Sequence, residues 1–210
     1  MLQKSLLLNT AWDLFLAAIP VGLGYGAATL GRRARQQRKV MLWIGFAVLM
    51  ALWLAFVPNT CYLLTEWRHF LNQVDSRNLY QRSQHQPGLL LHISLLALFY
   101  LGFSGFGAMA LALAIRPIER LLREWRIPFL VIALPLFMLL SLGVYLGLIV
   151  RLNSWDLWTR PLHVWRYIAE VPSRPSIVAA VAVFGLFLWG LYEALDLWVD
   201  AFQQRLHRKR

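Results

Sequence analysis

The chain has 210 residues, 59% hydrophobic and 15% charged, with 21 Lys and Arg against 10 Asp and Glu and a formal net charge of +11. Soluble domains average about 45–50% apolar and about 25% charged residues, so the composition excludes a disordered or collagen-like chain and points to a membrane. One cysteine, Cys61, excludes an internal disulfide framework.

A helix needs about 20 predominantly apolar residues to cross a hydrocarbon core of roughly 30 Å. The first such stretch covers 6–30. It carries Pro20, a Gly22–Gly26 pair at G-x-x-x-G spacing, and Asp13. Asp13 lies about 10 Å below the start of the span by helical rise, with Asn9 one turn above it. The run GRRARQQRK at 31–39 follows. Export of that cluster would violate the positive-inside rule, so the first span reads as an uncleaved anchor and not a signal peptide.

The second span covers 40–64 and contains Pro58 followed by Asn59 and Tyr62. Proline removes a backbone donor, so a kink or an opening is expected there. Past it, Trp67, Phe70, Leu71 and Val74 recur at helical spacing, opposite Glu66, His69, Gln73 and Arg77. That pattern fits a short helix lying in the membrane interface or packed on the bundle end. The third span, 89–115, has His92 just inside its start and the small residues Gly102, Ser104, Gly105, Gly107 and Ala108. The fourth, 127–150, holds Pro135, Tyr145 and a second G-x-x-x-G at Gly143 and Gly147. Arg151, Asn153 and Asp156 follow it, the last two also reading as a helix-capping pair. Pro161, Leu162, Trp165, Ile168 and Ala169 mark a second short amphipathic helix. The fifth span is 176–199, with Glu193, Asp196 and Asp200 on one face of its end. These are expected to pair with Arg205 or the basic loops. Small residues allow close helix approach, so spans one, three and four are expected to make the closest contacts. Gly22, Gly26, Gly143 and Gly147 also offer faces for a homo-oligomer or a membrane partner.

The reading is an all-α polytopic bundle: one integral membrane domain over 1–210, with five spans and two short interfacial helices on one side. With the N-terminus outside, cytoplasmic segments hold 13 Lys and Arg and outer segments hold 8. This bias favours an N-out, C-in protein of a bacterial inner membrane. Membrane lipids are expected partners. Nucleic acid is not, because the basic residues flank spans and form no single face.

In this topology Asp13, Asn59, Tyr62, Glu66, His69, His92, Tyr145, Arg151, Asn153 and Asp156 fall toward one membrane face. They form the candidate site, a polar cluster at the outer leaflet shared by spans one to four. No metalloprotease, nucleophile-elbow, phosphate-loop or dinucleotide motif occurs. Glu66, His69, His92 and His163 lack metal-ligand spacing, so neither a metal nor a cofactor is expected.

PNTCYLLTEW at 58–67 and GVYLGLIVRLNSWDLW at 143–158 resemble the two signatures of a bacterial membrane family known only as domain of unknown function 1361. Pro58, Asn59, Tyr62, Leu63 and Thr65 match the first. Gly143, Tyr145, Leu146, Gly147, Arg151, Asn153, Ser154, Trp155 and Asp156 match the second. Val57, Cys61, Glu66 and Leu148 depart from the pattern, which has Phe, Pro, Asp and Arg there. The resemblance implies a multi-span inner-membrane protein and no activity. Three functions follow as alternatives. A non-enzymatic scaffold, assembly or partner-binding module is the leading one, with its polar groups satisfied by one another. A membrane enzyme acting on a lipid or envelope substrate needs Glu66, Arg151, Asp156 and a histidine to converge. A small transporter needs a polar path from Asp13 inward.

Overall fold

The computed structural model describes residues 2–76, 78–84, 86–152 and 156–208. Asn153 and Arg77 lie outside them. The regular elements among the described residues are all helical: α1 (Leu2–Gln37), α2 (Val40–Phe56), α3 (Pro58–Thr65), α4 (Trp67–Ser76), α5 (Leu79–Ser83), α6 (Pro87–Glu124), α7 (Phe129–Leu148), α8 (Asp156–Thr159), α9 (Pro161–Glu170) and α10 (Pro175–Arg208). A 3-10 turn (Val171–Ser173) joins α9 to α10. Five helical stretches are long and apolar enough to cross a membrane. The chain is a multi-span membrane protein.

The helices outrun the expected spans. The 38 residues of α6 rise about 57 Å, well past a hydrocarbon core of roughly 30 Å. Hydropathy ends a span at the first charge, but Arg, Glu and Leu keep helical propensity beyond it. Residues 116–124, expected as a loop, are therefore the last turns of α6. The helix stops in a Schellman motif: Ile127 N–H bonds Leu122 O at 2.9 Å and Arg126 N–H bonds Arg123 O at 3.0 Å. Arg126 takes the left-handed position at φ 61°, which glycine usually fills.

Proline acts differently at its predicted positions. α1 and α7 run through Pro20 and Pro135 without interruption. At Pro58 the second span breaks into α2 and α3. Val57 N–H still reaches Trp53 O at 2.9 Å, and the Thr60 N–H and hydroxyl both bond Val57 O, at 3.0 and 2.8 Å. The opening expected there is a one-residue step, closed locally by Thr60.

α1 packs along α2 and α6, α3 lies between α6 and α7, and α7 packs on α10. The expected close contact of spans one and three is present: a Cβ on Gly24 of α1 would lie 2.6 Å from the Ala114 carbonyl oxygen of α6. Span four instead meets α3 and α10. The core between them holds Trp53, Val57, Leu111, Ile115, Phe137, Leu140 and Tyr192. Trp53 donates its indole N–H to Ala114 O at 3.0 Å, which satisfies its polar atom in an otherwise apolar interior.

The two bundle ends differ. At one, Arg32 of α1 forks onto Glu124 of α6 through contacts of 2.8–3.0 Å, beside a Trp43, Phe46 and Trp125 cluster. This is the basic end. The other carries α4, α5, α8 and α9. On α4, Phe70 packs on Tyr100 of α6, and Gln73 Nε2 donates to the Tyr100 hydroxyl at 3.3 Å. On α9 the inward residues are Val164, Tyr167 and Ile168. Leu162 and Trp165, expected on the apolar face of a short amphipathic helix with Ile168, point away from the bundle at 84% and 66% exposure.

Candidate functional site

The site grows from α3. Pro58 opens this helix, and its ring fills the space over Gly143: a Cβ there would come within 2.8 Å of Pro58 Cγ. One turn on, Tyr62 lies across Gly147, where a Cβ would overlap the phenol oxygen. The Tyr62 hydroxyl donates to Gly143 O at 3.4 Å. Gly143 and Gly147 thus serve as seats for Pro58 and Tyr62 of the same chain. On the far side of α3, Ser104 of α6 donates to Leu63 O at 3.1 Å.

This packing fixes three adjoining spaces. The smallest, about 180 Å³, is lined by Asp13, Tyr62, Leu63, Glu66, Gly147 and Leu148. It joins Asp13 of α1 to Glu66 at the end of α3. His69 Nε2 approaches Glu66 from outside at 3.7 Å.

The second is a groove of about 380 Å³ between α2, α3 and α7. Ala51, Ala55, Pro58, Leu139, Leu142 and Leu146 line it, and Val164 and Ile168 of α9 lie over one end. Its wall is almost wholly apolar; Tyr62 is the one lining side chain with a polar group.

The third is a cleft of about 570 Å³ lined by Arg151, Leu152, Asp156, Thr159, Arg160 and His163. The sequence after α7 builds it. Ile149 N–H closes on Tyr145 O at 3.0 Å and Leu152 N–H on Leu146 O at 3.0 Å, with Arg151 left-handed at φ 62°. Leu152, at the end of that turn, lines both the groove and the cleft, and Arg160 immediately precedes α9.

The expected cluster is therefore divided. Asp13, Tyr62, Glu66 and His69 meet around one cavity. Arg151 and Asp156 line another. Asn59 is buried in α3 and lines neither. Tyr145 is half-buried, also outside both, and His92 is exposed on the first turns of α6. Arg160 and His163 were not among the expected site residues. Their signal was present: a basic pair at i, i+3 around Pro161, beside the Asn-Ser-Trp-Asp run. Among the described residues no three His, Cys, Asp or Glu side chains come close enough to share a metal ion.

These cavities all fall within one stretch that matches a protein-family model, residues 12–191, described as "Protein of unknown function (DUF1361)". The chain belongs to this family. The membership resting on the 58–67 and 143–158 segments is thus borne out over most of the sequence. No curated protein and no solved structure matches this DUF1361 chain.

The basic end of the DUF1361 chain holds a second polar group, in which Asp196 and Asp200 were expected to be paired and Glu119 and Tyr192 were not singled out. Arg116 and Glu119 of α6 are buried. Arg116 Nε pairs with Asp196 Oδ1 at 2.8 Å, and its guanidinium also meets Asp200 of α10. Glu119 accepts from the Tyr192 hydroxyl and from Arg123. Asp196 and Asp200 were expected to pair with Arg205 or the basic loops; they meet Arg116 and Arg120 of the basic 116–126 segment, which is helical and buried at Arg116. Tyr192, Asp196 and Asp200 recur every fourth residue, as do Arg116 and Arg120, so two complementary stripes lock α6 to α10.

Proposed function

We propose that the chain is a non-catalytic module of a bacterial cytoplasmic membrane that holds a lipid against its α3–α7 face and acts as a scaffold or assembly partner. The groove between α2, α3 and α7 carries this reading. Its volume of about 380 Å³ lies within the ~300–1,000 Å³ range of small-molecule sites. Apolar walls with polar spaces at its ends suit an amphiphile. The enzyme reading loses support because the carboxylates of Asp13 and Glu66 line a different space from Arg151 and Asp156. A transport path loses support because Ala17, Trp53, Val57, Leu63, Phe103 and Leu111 fill the interior between Asp13 and Arg116.

Orientation follows the charge. The basic end, with Arg32–Lys39 and the last turns of α6, faces the cytoplasm and its anionic lipid. The groove then opens to the outer leaflet. There the outward Leu162 and Trp165 of α9 lie in the headgroup layer. Cys61 is fully buried, so an introduced thiol is read against a low background. In intact spheroplasts an impermeant maleimide is expected to label Arg160→Cys and not Lys39→Cys; the reverse pattern overturns the orientation.

Lipid binding is tested by filling the groove. Ala55→Trp puts an indole where an acyl chain is expected. Native mass spectrometry of the detergent-extracted protein should show one retained lipid on the wild type. Retention should fall at least several-fold in Ala55→Trp, with the thermal transition unchanged. Equal retention in both proteins, or none in either, refutes the reading.

A further inference from the structure

We infer that the cleft at Arg151, Arg160 and His163 binds the phosphate of a phosphodiester glycerolipid whose acyl chain occupies the neighbouring groove. The inference rests on the groove reading above and adds the chemistry of the headgroup. Leu152 lines both the groove and the cleft. On α9, His163 faces the cleft and the next residue, Val164, faces the groove. A molecule with its tail in the groove therefore has its polar end at the cleft mouth.

The sign of the charge selects this end. The groove meets polar space in two directions. Through Tyr62 and Gly147 it meets the cavity of Asp13 and Glu66, two carboxylates. Through Leu152 it meets two guanidiniums and an imidazole. Asp156 lines the cleft too and is already engaged within the protein. With Arg151 and Arg160 opposed by this one carboxylate, the cleft stays net positive. Guanidinium presents paired donors that match phosphate oxygens. A phosphate is thus attracted to the cleft and repelled from the Asp13–Glu66 cavity. Two guanidiniums less one carboxylate leave one positive charge in the cleft, which the single negative charge of a phosphodiester balances.

The order of cationic residues supports a placed site and not a random basic surface. Arg151 is held left-handed at φ 62° by the Leu152–Leu146 bond. Arg160 is set by the start of α9 at Pro161, with its own N–H on Asp156 O at 2.9 Å.

The test uses the full-length protein, delipidated in a non-ionic detergent, and isothermal titration with dioctanoyl phosphatidylglycerol, dioctanoylglycerol and inorganic phosphate. Phosphatidylglycerol is expected to bind at least about tenfold more tightly than dioctanoylglycerol, since hydrogen bonds to charged groups are the stronger class. The Arg151→Gln/Arg160→Gln variant should lose that preference and bind dioctanoylglycerol as the wild type does, which also shows that it is folded. Arg160→Gln alone should lose part of the preference. Equal binding of the two lipids by the wild type overturns the headgroup assignment and leaves the groove standing. Failure of both lipids to bind, or undiminished binding of both in Ala55→Trp, overturns the groove reading itself. Inorganic phosphate binding as tightly as phosphatidylglycerol overturns the assignment in favour of a free-anion site.

Discussion

Arg116→Leu is expected to destabilise the protein by about 3–5 kcal/mol, the cost of leaving a buried charge without its partner. Arg116 is 4% exposed, and its partner Asp196 is 15% exposed. Leucine replaces the packing of the stem but leaves the Asp196 carboxylate facing apolar surroundings. Asp200 is about half exposed and turns to water or to Arg120, from which it lies 3.8 Å. The loss should be read in equilibrium unfolding with dodecyl sulfate in mixed micelles. Arg116→Met combined with Asp196→Leu should recover most of it, because no unpaired charge then stays buried. Arg32→Ala is the contrasting case. The Arg32–Glu124 pair is more complete in geometry but 41% and 48% exposed, so its loss should cost no more than about 1 kcal/mol. If Arg116→Leu costs no more than Arg32→Ala, the α6–α10 lock does not bear on stability.

Gly107→Leu is expected to be the most damaging substitution among the glycines of α6. A Cβ at Gly107 would lie 2.6 Å from Leu63 Cβ and 2.7 Å from Thr60 O. One contact is backbone and the other is the root of a buried side chain, so neither yields by rotamer change. Overpacking of this kind costs typically about 1–3 kcal/mol, occasionally more. Here α3 must move away from α6, breaking the Ser104–Leu63 bond and displacing Pro58 and Tyr62 from Gly143 and Gly147. The groove should therefore lose its lipid together with stability. Gly102→Leu is the control on the same helix, since a Cβ at Gly102 meets nothing within 4 Å. It should unfold like the wild type and retain lipid. Equal behaviour of the two variants would mean that α3 does not depend on the close approach at Gly107.

Helix existence was legible because five apolar runs leave little choice in lipid, where each backbone polar group must be satisfied within its own segment. Helix length was not, since charge ends hydropathy before it ends hydrogen bonding. Arg116 shows the consequence: assigned to a basic loop, it was counted as a topology signal and a loop partner for Asp196 and Asp200, and its burial inside the bundle went unseen. Periodicity identifies neighbours on one helix but not the rotation of that helix against others. Hence Gly143 and Gly147 were recognised as a close-approach face, but their occupants, Pro58 and Tyr62, were not. Asp13 and Glu66 are 53 residues apart in sequence and were grouped through topology alone; the fold places them around one cavity. The same argument grouped Arg151 and Asp156 with them. The left-handed turn at Arg151 separates these two, and no residue type in Leu-Ile-Val-Arg-Leu announces such a turn, because glycine is its usual signal. His92 is exposed on the first turns of α6 and lines neither polar cavity.

The central claim is that a lipid chain resides between α2, α3 and α7. Benzoylphenylalanine placed at Leu142, inside the groove, and at Leu130, 68% exposed on the outer surface of α7, tests it most directly. After extraction and exchange into detergent, irradiation at position 142 is predicted to attach a phospholipid to a large fraction of the protein, and irradiation at position 130 to attach detergent alone. Detergent adducts alone at both positions would contradict the account.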